Sequence, residues 1–187
     1  VDQQSSPKWV GSVLWEALTL DQDFYEDAHK DAKTERLAPV IVWLAAISHG
    51  IGSSFILVIY QPGLLKLGLG LVINTLSVVV GYYLWTYTIW QINARLKTRT
   101  PAYQELLAPV GFAYTPQVLG FLTVIPLFGP PLRLGLAGWS LLAAIVAVRQ
   151  GLNLSLARAM VMAGVGFTLV QVAIGLIQLW MQAWASG

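Results

Sequence analysis

LGLGLVINTLSVVVGYYLWTYTIWQI, residues 67–92, contains no acidic, basic or histidine side chain and no proline. As α-helix it extends about 39 Å, more than the roughly 30 Å hydrocarbon core of a bilayer. It is far too long for a barrel strand of about ten residues, so a spanning helix is the only element that satisfies its backbone in lipid. The same reading extends outward on both sides. Residues 38–60 form a first apolar stretch interrupted only by His49. A third, within 106–131, is broken by Pro109, Pro116 and Pro126 and is expected to be kinked or split. A fourth, 132–149, is short, but Arg133 and Arg149 at its two ends are expected to snorkel to opposite interfaces. A fifth runs over about 156–184. The fold class is an all-α polytopic membrane protein with five spans, the third broken by proline.

Composition agrees. Hydrophobic residues make up 56% of the 187 positions and charged ones 11%, against roughly 25% charged in soluble domains. Eight of the 9 acidic residues precede Arg36, and Glu105 is the other. Residues 1–37 therefore read as an acidic N-terminal segment and 38–187 as the membrane domain. No basic cluster is interleaved with aromatics, which excludes nucleic acid as a partner. Cysteine is absent, removing disulfides, thiolate metal sites and thiol nucleophiles. The opening VDQQSSPKWVG has neither a basic nor an apolar leader region, so insertion is expected to start at the first span.

Five spans place the two ends of the membrane domain on opposite sides. With the N-terminus inside, that side collects Lys8, Lys30, Lys33, Arg36, Arg95, Lys97, Arg99, Arg149 and Arg158, leaving Lys66 and Arg133 outside. This bias predicts an N-in, C-out orientation, with a bacterial inner membrane as the expected location. Trp85, Tyr87 and Trp90 are expected at the inner interface, and Trp180 and Trp184 at the outer one.

Ahead of the spans, Trp9, Val13 and Ala17 recur at helical spacing, predicting a short amphipathic helix on the bilayer surface. Asp21 reads as the N-cap of a second helix over DFYEDAHKDAKTER, acidic first and basic last. That helix either solvates a connection or is held out for a protein partner. Thr100-Pro101 reads as a cap-and-first-turn signal restarting a helix before the third span.

Three short motifs carry a family likeness: LTLDQDFYEDA at 18–28, GFAYTPQVLGFL at 111–122, with Gly111, Tyr114 and Pro116 in a Gly-x-x-Tyr-x-Pro pattern, and AVRQGLNLSLARA at 147–159, preceded by Trp139. On these the chain resembles the Yip1 family of small five-span integral membrane proteins. The resemblance implies the same N-in topology. It also implies an association with trafficking and Rab-type GTPases in eukaryotic members. The short acidic front is similar to the prokaryotic branch, and a GTPase partner is implied by the resemblance alone.

Inside the bilayer, Gly164, Thr168, Gln171, Gly175, Gln178 and Gln182 form a stripe of small and amide residues down one face of the fifth span. Such stripes serve as packing seams, subunit interfaces or polar ligand grooves. Asn74, Gly81 and Thr88 recur every seven residues on the second span and predict another seam. His49, within SHGIGSS, is an intramembrane ionisable residue with small neighbours. It admits three readings: a satisfied packing histidine, the ligand of a chlorophyll-type pigment or haem, and a proton carrier. No metalloprotease motif, aspartate pair or activated nucleophile is present, and GLGLGL and AGVGF lack the strand-turn-helix context of phosphate loops.

The expected function is a non-enzymatic scaffold or adaptor that positions partner proteins. Two alternatives stand beside it. One is an accessory subunit of a photosynthetic or respiratory complex, with one pigment at His49. The other is a lipid or small-solute conduit using the broken third span. The expected partners are membrane lipid and other integral membrane proteins, and a bound lipid or pigment is the only cofactor suggested.

Overall fold

The computed structural model describes residues 7–58, 63–96, 102–125 and 127–186. Among them lie seven α-helices and one 3-10 helix. The α-helices are α1 (Pro7–Leu18), α2 (Gln22–Asp27), α3 (Ala32–Val58), α4 (Leu64–Arg95), α5 (Tyr103–Phe112), α6 (Gly129–Gly151) and α7 (Leu156–Ser186), with the 3-10 helix at Thr115–Val124 between α5 and α6. No strand occurs among the described residues. Four helices (α3, α4, α6 and α7) are long and apolar enough to cross a membrane, and α5 with the 3-10 helix forms a pair bent by 43° that makes a fifth crossing if the two act as one span. The ten-residue 3-10 helix is longer than the usual three or four residues of such a segment. At about 2.0 Å per residue it covers about 20 Å, so the two halves together reach across the hydrocarbon.

The break has identifiable causes. Pro116 cannot offer an N–H to the Phe112 carbonyl four residues earlier, and the Thr115 hydroxyl donates to that carbonyl instead at 2.7 Å. From α3, the Ser48 hydroxyl donates to the Val118 carbonyl at 2.7 Å and accepts from the Phe121 N–H at 2.7 Å. One side chain thus splices into a turn of the 3-10 helix. Irregular backbone at membrane depth is tolerated when neighbouring protein satisfies it in this way.

Helix directions alternate, so the start of α3, the end of α4, the start of α5, the end of α6 and the start of α7 gather at one end of the bundle. α1 and α2 sit there too, and this is termed the near end. α6 stops in a Schellman motif, with Asn153 left-handed at φ 48°. There the Leu154 N–H donates to Arg149 O at 3.0 Å and the Asn153 N–H to Gln150 O at 3.2 Å. This is the physical content of the GLNLS motif: asparagine tolerates the left-handed conformation that ends one span.

Several local expectations are modified. The segment after Asp21 is not one helix. Asp21 does cap α2 through the Phe24 N–H at 2.9 Å, but α2 ends at Asp27 and the basic half belongs to α3. Asp31 caps α3, accepting from the Thr34 N–H at 3.1 Å and the Thr34 hydroxyl at 2.7 Å. α6 runs from Gly129 to Gly151, beyond both ends of the expected 132–149, so its 23 residues cross without help from snorkelling. Thr100 and Pro101 lie outside the described residues, and the described helix starts at Tyr103.

α1 does not lie apart on the bilayer surface. Val13 and Ala17 are buried in the core, the Trp139 indole N–H donates to Leu18 O at 3.1 Å, and Gln150 bonds Gln22 at 2.8 Å. Phe24 stacks edge-on against Phe112 with centroids 4.9 Å apart. Tyr25 is fully buried and donates to Ala17 O at 3.1 Å. Burial pushes its phenol above the ordinary range, which keeps it protonated as that donor.

Candidate functional site

The site grows from a gap in helix packing. α4 and α7 approach closely through Gly166 and Gly81. A Cβ on Gly166 would meet Trp85 Nε1 at 2.8 Å, and one on Gly81 would meet Val170 Cγ1 at 2.8 Å. The Trp85 indole N–H donates to Ala163 O at 3.0 Å, so Trp85 is a core residue at 2% exposure rather than an interfacial one. Tyr87, Trp90 and Tyr103 make the aromatic cluster near that end instead. The same face of α7 continues into the interior, where Val170 and Ile174 also border a gap. There the helices part, leaving a cavity of about 120 Å³.

Five elements line it. α3 supplies Ala45 and His49, the bend supplies Tyr114 and Gln117, and α4 supplies Val78 and Trp85. From α6 come Arg133, Ala137 and Ser140, and from α7 come Gln171, Gly175 and Gln178 beside Phe167, Val170 and Ile174. Its floor is aromatic, with Tyr114 edge-on to Trp85 and to Tyr82, both at 5.8 Å between centroids. The polar groups cluster toward the far end of the bundle. Gln178 Nε2 lies 3.3 Å from His49 Nε2, and with the amide as donor the ring proton resides on Nδ1. The Ser140 hydroxyl is buried at 2% exposure without a hydrogen-bond partner. Arg133 has no ion pair among the described residues, and no carboxylate lines the cavity.

The residues singled out in the sequence distribute unevenly. From the α7 stripe, Gln171, Gly175 and Gln178 line the cavity, whereas Thr168 is exposed. An added Cβ would meet nothing within 4 Å at Gly164 or Gly175. The side chain of Gln182 lies outside the described residues. On α4, Gly81 packs against α7. Asn74 is buried and donates to Gly70 O at 2.9 Å, and Thr88 turns its hydroxyl to Leu84 O at 2.8 Å. Gly111 abuts Ala38, whose Cβ would lie 3.0 Å from an added one, and Pro116 is the second residue of the 3-10 helix. The space beside His49 that Gly50 and Gly52 leave is filled by neighbours: the Thr75 hydroxyl and Leu71 against a Cβ on Gly50, and the Thr123 hydroxyl with Gly120 O, at 2.8 Å, against one on Gly52. A cavity of 120 Å³ lies well below the roughly 300–1,000 Å³ of sites for drug-sized ligands, and a chlorin or haem needs more room than it provides. Arg133 and Ser140 were not singled out as lining residues. Their signal was an arginine and a serine seven apart in a stretch with no other charged or amide side chain before Arg149.

Helices of this length and apolarity with a polar interior define a multi-pass integral membrane protein of the all-α class. Residues 15–178 match the Yip1 domain, and the chain belongs to that family. Neither a curated protein nor a solved structure matches the chain.

Proposed function

We propose that the protein is a non-enzymatic membrane scaffold or adaptor that holds residues 1–37 in the cytosol and positions a partner protein through their acidic face. The observation that carries this reading is the docking of α1 and α2. Val13, Ala17, Tyr25 and Ala28 are buried against the bundle, while Asp23, Glu26 and Asp27 remain exposed on α2. A segment fixed by burial and by the Trp139 and Gln150 hydrogen bonds presents its carboxylates as a rigid platform. Acidic side chains beside an anionic leaflet are repelled rather than drawn into it, which favours a basic protein surface as their partner. The positive-inside bias supports the N-in orientation, which we take to be in a bacterial inner membrane. Other integral membrane proteins, or a GTPase by family association, are the partner classes consistent with this reading.

Mild detergent extraction from the native membrane, followed by mass spectrometry of co-purifying chains, tests it. A stoichiometric partner is expected that dissociates at high salt and is lost from the Asp23→Asn, Glu26→Gln, Asp27→Asn triple variant. A chain that purifies alone, or a partner indifferent to the triple variant, sinks the proposal.

A further inference from the structure

Arg133 and Ser140 together raise a question of charge and hydrogen bonding. The arginine lines the cavity with no ion pair among the described residues, and the serine hydroxyl, two turns further along α6 on the same cavity, is buried and unpartnered. An unsatisfied buried donor costs about 1–3 kcal/mol, and the half-buried Arg133 brings a cation to the same cavity. Gln117 and Gln171 add amide donors to the lining from the 3-10 helix and α7. The set offers many N–H and O–H donors, one net positive charge and no carboxylate.

We propose that this cavity binds the phosphate head of an anionic membrane lipid, with Arg133 as its charge partner. A guanidinium presents a planar fork of donors that matches phosphate oxygens. One arginine balances the single negative charge of a phosphodiester, whereas free phosphate carries more at neutral pH. The volume of about 120 Å³ accommodates a head group but not its acyl chains. Gln171 is the lining residue that remains exposed, so the cavity opens beside the middle of α7. The flanking Leu169, Val172 and Leu176 are more than half exposed and face the hydrocarbon. The head is placed toward the far end, where Arg133 stands in the first turns of α6, and the chains lie against these residues. This site is independent of the adaptor reading, because lipid retention and partner capture are scored on different variants.

The test is the phospholipid that survives extensive detergent washing of the purified full chain, measured by phosphorus assay and mass spectrometry alongside the melting temperature. Wild type is expected to retain anionic phosphodiester lipid, and Arg133→Gln about tenfold less. Ala137→Leu, which fills the cavity while keeping the arginine, is expected to lose it as well. Equal retention in wild type and Arg133→Gln overturns the proposal. So does loss in Arg133→Gln with full retention in Ala137→Leu, the pattern of an arginine that only snorkels to surrounding head groups. Should Arg133→Gln fail to fold, the Ser140→Ala, Gln171→Leu double variant decides, since it keeps the charge and is expected to retain less lipid. Delipidated protein is also titrated with phosphatidylglycerol and with inorganic phosphate. A rise in melting temperature with the lipid supports the site as drawn, and a rise with inorganic phosphate alone overturns the lipid source.

Discussion

Moving a methyl group two positions along α7 changes its consequence. At Gly166 an added Cβ would sit 2.8 Å from Trp85 Nε1, and the indole is held by its bond to Ala163 O, so the ring has little room to yield. At Gly164 nothing lies within 4 Å. Gly166→Ala is therefore expected to destabilise by about 1–3 kcal/mol, with Gly164→Ala within about 0.5 kcal/mol of wild type. Thermal unfolding in one detergent compares the two, and equal losses would mean that α7 is rotated from the position described. The glycine pattern was visible in the sequence, but which glycine makes the close approach was not. A helix apolar on nearly every side gives periodicity no preferred face in lipid, where the usual inside-outside contrast vanishes. Arg133 was legible as an end-of-span anchor for the same reason. Only the packing of α6 against its neighbours turns it inward.

At the scale of an element, the broken third span depends on substitutes for missing backbone hydrogen bonds. The Thr115 hydroxyl serves the fully buried Phe112 residue's carbonyl, which Pro116 cannot reach. Thr115→Val keeps the shape and removes the donor, and is expected to cost about 1–3 kcal/mol, read as a lower melting temperature. Were the cost negligible, water or another donor would be serving that carbonyl. The start of α3 rests on Asp31, whose carboxyl is held below its ordinary 3.8 by the Thr34 hydroxyl first and the Thr34 N–H second. A depressed folded-state pKa means the cap contributes in full above the ordinary value and is lost as pH falls through the folded one. The melting temperature is expected to decline below about pH 4, and Asp31→Asn to flatten part of that decline. An unchanged slope in Asp31→Asn would assign the acid sensitivity to other carboxylates. Three prolines announced the break, and Asp21 announced α2. The division between α2 and α3 was hidden because Asp31 lies in a run of charged residues where any of several acids reads as a cap.

For the whole molecule, five crossings by alternating helices require the near end and the far end to lie in different compartments. The chain contains no cysteine, so single substitutions can be labelled without preparing a background. Asp23 is exposed on α2 at the near end. Leu127, at φ 72° in the turn between the 3-10 helix and α6, is 90% exposed at the far end. The positive-inside bias assigns the first to the cytosol and the second to the opposite side. In intact cells a membrane-impermeant maleimide is expected to modify Leu127→Cys and to spare Asp23→Cys until the membrane is opened. Identical behaviour of the two, both protected or both labelled from outside, would mean that the bent pair turns back instead of crossing, leaving the four long helices as the spans. The reverse pattern, Asp23→Cys labelled and Leu127→Cys protected, would keep the five crossings and remove the acidic platform from the cytosol. The adaptor reading would fall in that case. The lipid site would survive, because its arginine, serine and amides are defined by the bundle interior and not by the compartment at either end.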